Sequence, residues 1–186
     1  MSALSIEHIF ISPAEYLEGE ELADCKHEYL NGNVHAMAGG TNRHSRIGAK
    51  IISGLMVRLH GKPCQPWSAD TRIRFQHGDD ERFYYPDGTV ICHPVDKRAL
   101  FAENPTVIFE VLSPSTERTD TGEKKEAYLR CECLQAYVLV HSERVEVTIY
   151  TRRADGWDAT IYNETSDTLP LPCIECELPL SEIYEE

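Results

Sequence analysis

One carboxylate interrupts the most apolar stretch of this chain. Pro105-Thr106-Val107-Ile108-Phe109-Glu110-Val111-Leu112-Ser113-Pro114 is otherwise apolar and β-branched, and closed by a proline at each end. That pattern reads as a short strand buried on both faces in the middle of a sheet. An ionised carboxylate buried without a partner costs several kcal/mol or more. Glu110 must therefore meet a cation, a basic side chain such as Arg72 or Arg74, or a proton. A second carboxylate has matching spacing. If the strands around Thr89 and Ile108 are antiparallel neighbours, as consecutive strands tend to be, a connection centred near Arg98 sets Asp87 opposite Glu110, Thr89 opposite Ile108 and Ile91 opposite Thr106. Opposed residues lie about 5 Å apart on one face of a sheet. Two carboxylates at that distance repel unless a cation sits between them. Mg²⁺ suits such a pair, because it takes one or two carboxylates and completes its shell with water and phosphate oxygens.

A third group follows in the chain. Lys124, Ala127, Tyr128 and Cys131 recur at helical spacing on the apolar face of a predicted helix, while Lys125 and Glu126 point away. An inward lysine beside paired carboxylates stabilises them or holds a water and a phosphate; the alternative is that its ammonium snorkels to the surface. A different chemistry is open to Cys131, Cys133, Cys173 and Cys176, whose four thiolates could form a structural zinc module.

These groups need elements to position them. Ser12-Pro13-Ala14-Glu15 is a capping box with proline at the first helical position, predicting a helix over about 13–23. Asn31-Gly32 between His27–Leu30 and Val34–Ala38 is a hairpin signal. Gly39-Gly40-Thr41-Asn42 then caps a helix over about 43–60, with Ile47, Ile51, Ile52, Leu55, Met56 and Leu59 on one face. Arg43, Arg46, Lys50 and Arg58 fall on the other, as a solvated outer face or a phosphate-facing stripe. Residues 66–75 and 82–92 read as strands, 93–104 as a loop or short helix, and 121–132 as the helix carrying Lys124. Residues 136–141, 145–152 and 157–162 read as further strands, and a short helix or turn near Leu180 closes the chain.

Composition bounds the class. The 186 residues are 41% hydrophobic and 26% charged, which predicts one globular domain over 1–186 with a sizeable core. No apolar run approaches the ~18–20 residues of a membrane span, and no basic, apolar leader opens the chain. The expected location is the cytoplasm, and the seven cysteines are expected to be reduced thiols. The net charge of −13 opposes a global basic footprint, but its distribution matters. Residues 1–30 hold seven acids and one base, and 154–186 hold nine acids and no base, whereas 31–153 hold 15 acids and 17 bases. The middle is free to present a local basic face.

Taken together, Pro86-Asp87, Glu110-Val111-Leu112-Ser113-Pro114-Ser115-Thr116, Asp120, Lys124 and Tyr128 look like the motifs of a bacterial family of putative restriction endonucleases, a divergent branch of the PD-(D/E)XK nuclease superfamily. Pro13-Ala14-Glu15-Tyr16, His27-Glu28-Tyr29-Leu30-Asn31-Gly32 and Asn42-Arg43-His44 match its N-terminal pattern, so the resemblance spans nearly the whole chain. It implies an α/β (α+β) restriction-endonuclease-like core, a mixed, mainly antiparallel sheet flanked by helices around a divalent metal site.

Carried over, Asp87 is the aspartate of the PD motif and Glu110 the acidic residue of the (D/E)XK motif. The lysine of that motif falls on Leu112, and Lys124 on the following helix is the matching base. Glu28 resembles the acidic residue placed before the sheet. His44 matches a motif histidine; as a lone histidine at a helix start, it reads as a capping or packing residue. The resemblance thus implies Mg²⁺- or Mn²⁺-dependent hydrolysis of nucleic-acid phosphodiesters, DNA first. Asp87, Glu110 and the Val111 carbonyl hold the metal, Arg43, Arg46 and Lys50 contact the backbone, and a homodimer forms by analogy. The competing functional class is a catalytically silent relative that binds nucleic acid or a protein partner.

Overall fold

The computed structural model describes residues 9–37 and 39–185. Helix α1 (Pro13–Leu22) starts on the expected capping box: the Glu15 amide donates to the Ser12 hydroxyl, and the Ser12 amide to the Glu15 carboxylate. Strands β1 (His27–Leu30) and β2 (Asn33–Ala36) pair across Asn31 and Gly32, at φ 44° and 95°. Two consecutive left-handed residues make the tight turn that Asn-Gly favours. Ala38, the expected end of this strand, lies outside the described residues. Helix α2 (Asn42–Arg58) is capped by Thr41 and buries Ile47, Ile51, Ile52 and Leu55. Met56, expected on that face, is exposed, because it falls beyond the edge of the buried stripe.

The next two expected strands are each broken in the middle. Residues 66–75 divide into β3 (Gln65–Ser68) and β4 (Ile73–His77), and residues 82–92 into β5 (Asp80–Tyr84) and β6 (Gly88–Ile91). The breaks fall at Ala69-Asp70-Thr71-Arg72 and at Tyr85-Pro86-Asp87. The chain at each break passes from one sheet to another. Strands β4 and β5 join β1 and β2 in a four-stranded sheet of order β2-β1-β5-β4. Strands β3 and β6 belong to a six-stranded sheet of order β10-β9-β8-β7-β6-β3, built with β7 (Val107–Leu112), β8 (Ala136–His141), β9 (Val147–Arg153) and β10 (Gly156–Tyr162). Pro86, which has no amide to give a ladder, sits in the crossing Tyr85-Pro86-Asp87.

Between β7 and β8 the expected single helix is two pieces, α3 (Glu117–Thr121) and α4 (Glu123–Leu129). Gly122, at ψ −101°, turns the chain between them. A hairpin of β11 (Thr168–Leu171) and β12 (Cys176–Pro179), which the periodicity did not reveal, precedes the C-terminal helix α5 (Leu180–Tyr184).

Strand β7 is central and buried along its whole length. It pairs antiparallel with β6, Thr89 opposite Ile108 as expected, and parallel with β8 through the α3–α4 crossover. The other pairings in both sheets are antiparallel, which gives the mixed, mainly antiparallel α+β architecture. Alternation along β7 divides the core. Val107, Phe109 and Val111 pack with Ile47, Ile51 and Leu55 of α2, while Ile108 and Leu112 pack with Tyr128 of α4 and with Ile73 and Tyr84 of the smaller sheet. Each fully buried aliphatic or aromatic side chain contributes about 1.5–3 kcal/mol of transfer free energy, and that sandwich holds β7 rigid from both sides.

One expectation about cysteines is overturned. Cys64 and Cys92 are joined by a disulfide, S–S 2.11 Å. They flank the Gln65↔Ile91 pair of β3 and β6, so the ladder itself brings them together. Cys25, Cys131, Cys133, Cys173 and Cys176 are free thiols. Among the described residues no helix is long and apolar enough to cross a membrane.

Candidate active site

The site lies where the crossing from the smaller sheet enters β6, beside the middle of β7. Glu110, on the α4 side of β7, is only 3% exposed. Tyr128 donates to its Oε1 at 2.8 Å, Lys124 Nζ lies 3.4 Å from the same oxygen, and the Asp87 amide donates to Oε2 at 3.3 Å. Neither expected arginine reaches it. Arg72 donates to the Tyr85 hydroxyl, and Arg74 pairs with Glu81 and Glu103. Burial raises the Glu110 carboxyl well above its ordinary range. Lys124 works against that shift, and Asp120, Asp87 and Glu28 add to it.

Asp87 is the last residue before β6, in line to face Glu110 by the register of that pair. Its Oδ2 accepts from the Val111 amide at 2.7 Å and meets His44 Nε2 at 3.0 Å. Val111, expected to offer its carbonyl, therefore engages the site first through its N–H. His44 is more than a capping residue. Its backbone amide does bond Thr41 in the first turn of α2, but its ring crosses to Asp87. Gly40 makes room for it: a Cβ there would stand 2.4 Å from His44 Nδ1. The hydrogen bond to Asp87 outweighs desolvation and raises the imidazole above its usual value.

Lys124 is 7% exposed and does not snorkel. It lies 2.8 Å from Glu28 of β1, 3.4 Å from Glu110 and 3.5 Å from Asp120. Burial opposes its charge, but those carboxylates outweigh burial and hold it protonated well above an ordinary lysine. The Glu28 contact is close in distance yet poorly aimed, since Glu28 Oε1 is buried without a hydrogen-bond partner. Asp120, absent from the candidate set read from spacing, completes the group from the end of α3. It is buried, and desolvation raises its carboxyl against the pull of Lys124. Its signal was its position four residues before Lys124, one helical turn away, but the turn at Gly122 places both side chains inward in a way no single-helix wheel describes.

Three carboxylates, Glu28, Glu110 and Asp120, thus surround one ammonium, and Asp87 adds a fourth acid beside Glu110. That excess of negative charge in a buried setting calls for protons or a further cation. The donor chemistry fits a hard divalent ion: carboxylate oxygens, a strand carbonyl and an orphaned Glu28 oxygen. As the side chains stand, no three His, Cys, Asp or Glu groups among the described residues are gathered closely enough to hold an ion. Lys124 occupies the middle of the group instead.

The remaining candidates lie elsewhere. Arg43 and Arg46 are exposed on α2, and Lys50 donates to the Glu185 carbonyl beside α5. Arg58 is paired with Glu182. The four proposed zinc thiols are not brought together. Cys131 packs with the core on the α4 side of the large sheet, and Cys176 with the core on the α2 side.

Comparison with known proteins gives one consistent result. A family model described as "Putative restriction endonuclease" (Uma2) matches residues 13–181. The uncharacterized protein slr1290 of Synechocystis sp. is 35% identical over 175 residues, covering 94% of this chain and 91% of that protein. A second uncharacterized Synechocystis protein, sll1609, is 28% identical over 148 residues, 78% of this chain and 82% of the other. In fold, the chain is similar to a crystal structure of a putative nuclease belonging to DUF820 from Anabaena variabilis. The TM-score is 0.70 at 19% identity, covering 91% of this chain and 97% of that one.

Proposed function

The chain belongs to the Uma2 family of putative restriction endonucleases, and we propose that it is a divalent-metal-dependent nuclease hydrolysing phosphodiester bonds of nucleic acid, DNA first. The observation that carries this reading is half-buried Asp87 beside buried Glu110 and Lys124, with Glu28 and Asp120 around them. Asp87 and Glu110, with the Val111 carbonyl, would hold Mg²⁺ or Mn²⁺. Such an ion supplies charge neutralisation at the phosphate and a more acidic bound water.

Hydrolysis adds a water oxygen to phosphorus and breaks one P–O ester bond, so charge must be held and a water aimed. Lys124, kept protonated by its three carboxylates, acts as a fixed positive charge and hydrogen-bond donor to the attacked phosphate. It is not the proton acceptor in that state. Glu28, with one buried oxygen free of hydrogen bonds, orients the attacking water. His44 and the Val111 amide together fix the Asp87 carboxylate. Exposed Arg43 and Arg46, with Lys50, supply backbone contacts. Two copies related by a two-fold axis would address both strands.

The test is cleavage of plasmid, single-stranded DNA and RNA with Mg²⁺ or Mn²⁺ and with a chelator control. Wild type should cut, and Asp87→Ala, Glu110→Ala and Lys124→Ala should not. Equal cutting by wild type and Glu110→Ala would assign the activity to a contaminant. A second reading is supported by one feature, the ammonium of Lys124 standing among the carboxylates where a cation would sit. On that reading the chain binds nucleic acid or a protein without cleaving, and no substrate in the panel is cut.

A further inference from the structure

A second group of reactive side chains lies away from the carboxylate site. Cys131 and Cys133, at the end of α4, bring their sulfurs within 2.9 Å of each other. Both line a cleft of about 660 Å³ between the β4–β5 hairpin and the end of α4. Both are partly accessible free thiols. Backbone hydrogen bonds fix the turn that holds them: the Cys131 amide donates to the Tyr128 carbonyl at 3.0 Å, and the Leu134 amide to the Cys131 carbonyl at 3.2 Å. Arg152 donates to the Cys131 carbonyl at 2.5 Å and stacks on Trp157, setting a guanidinium beside the pair.

We propose that Cys131 and Cys133 form a thiol–disulfide exchange site whose substrate class is low-molecular-weight disulfides entering the cleft. The reaction balances with the disulfide as oxidant. The Cys131 thiolate attacks one sulfur of RSSR, forms a Cys131–SR bond and releases RS⁻. Cys133 then attacks the Cys131 sulfur, forms the Cys131–Cys133 bond and releases the second RS⁻. The two protein thiols give up two electrons and two protons, and two RSH result.

The roles follow from the environment. The hydrogen bond shared with Cys133, with Arg152 nearby, lowers the Cys131 thiol to about 7 despite its partial burial. A thiol near ambient pH is the most effective attacking group. The same hydrogen bond and burial push the Cys133 thiol up, so it waits as the resolving partner. Arg130 and Glu132 both line the cleft without an ion-pair partner among the described residues, so the lining sets no preference for a charged disulfide. The inference is independent of the nuclease reading, since neither sulfur touches Lys124 or Glu110.

The test uses the full chain, reduced and then exposed to oxidised glutathione. Remaining thiols are alkylated and the peptides weighed. Wild type should lose two hydrogens in the peptide spanning 131–133, with Cys25 and Cys173 reacting at least tenfold more slowly. Cys133→Ser should instead accumulate glutathione on residue 131, and Cys131→Ser should lose the fast phase. On wild type alone, the rate of Cys131 alkylation against pH should show a midpoint near 7. The proposal is overturned if residues 131 and 133 react no faster than Cys25 and Cys173, or if Cys133→Ser traps no mixed disulfide.

Discussion

Lys124 Nζ lies 3.4 Å from Glu110 Oε1, a contact between the middle of a central strand and the first turn of the crossover helix that follows it. Glu110, Glu28 and Asp120 together hold Lys124 charged, and Lys124 in turn opposes the upward shift of the Glu110 carboxyl. Removing the lysine leaves buried Glu110 and Asp120, and half-buried Glu28, without an ammonium.

Lys124→Ala should therefore destabilise the protein by roughly 3–5 kcal/mol, the usual cost of stranding a buried charge. The deficit should shrink as pH falls, because protonating Glu110 and Asp120 removes the stranded charges. Urea denaturation at pH 8 and pH 5 checks both statements. A loss under ~1 kcal/mol at pH 8 would mean water already screens the group.

Glu110→Gln tests the opposite sign. A carboxyl raised in the folded state keeps its proton after the unfolded chain has released it. From the unfolded value near ~4.3 up to the raised folded value, wild type thus loses stability as pH rises. Gln carries no such dependence. In chelator, the variant should gain on wild type between pH 4 and 8, ending at least as stable, by up to roughly 2 kcal/mol. Thermal melts across that range measure it, and a variant falling further behind with pH would show that the Lys124 pairing outweighs desolvation.

Added Mg²⁺ or Mn²⁺ should raise the melting temperature of wild type, by an amount equivalent to ~2.7 kcal/mol at a hundredfold excess over Kd. Asp87→Asn and Glu110→Gln should abolish that rise. Either variant responding as strongly as wild type would remove its side chain from the proposed ligand set.

Arg43→Ala and Arg46→Ala should each lower the salt dependence of duplex binding by about 0.9 in the log–log slope, one phosphate contact apiece. Lys50→Ala should change it less, because its ammonium already bonds the Glu185 carbonyl. Filter binding over a salt series reads these slopes. Unchanged slopes for both arginines would leave α2 a merely solvated face.

Much of this architecture was legible in the chain itself, wherever the physics is local. The Ser12 box, the Asn31-Gly32 turn and the buried stripe of α2 follow from capping, left-handed backbone and helical period, each settled within a few residues. Glu110 announced itself by contrast with its apolar neighbours, and the Thr89↔Ile108 register followed from the symmetry of one antiparallel connection.

What only the tertiary structure decided depends on chain segments far apart meeting. Only Tyr85-Pro86-Asp87 separates β5 from β6, yet the chain changes sheets there, because β5 finds its partners in β1 and β4 and β6 finds its own in β3 and β7. His44 reaches Asp87 from the other face of the sheet, and Glu28 reaches Lys124 from the smaller sheet. Cys64 and Cys92 bond because the β3–β6 ladder aligns them. A lone side chain shows what it needs, a partner or a cation, and only the packing of sheets and helices determines which one it receives.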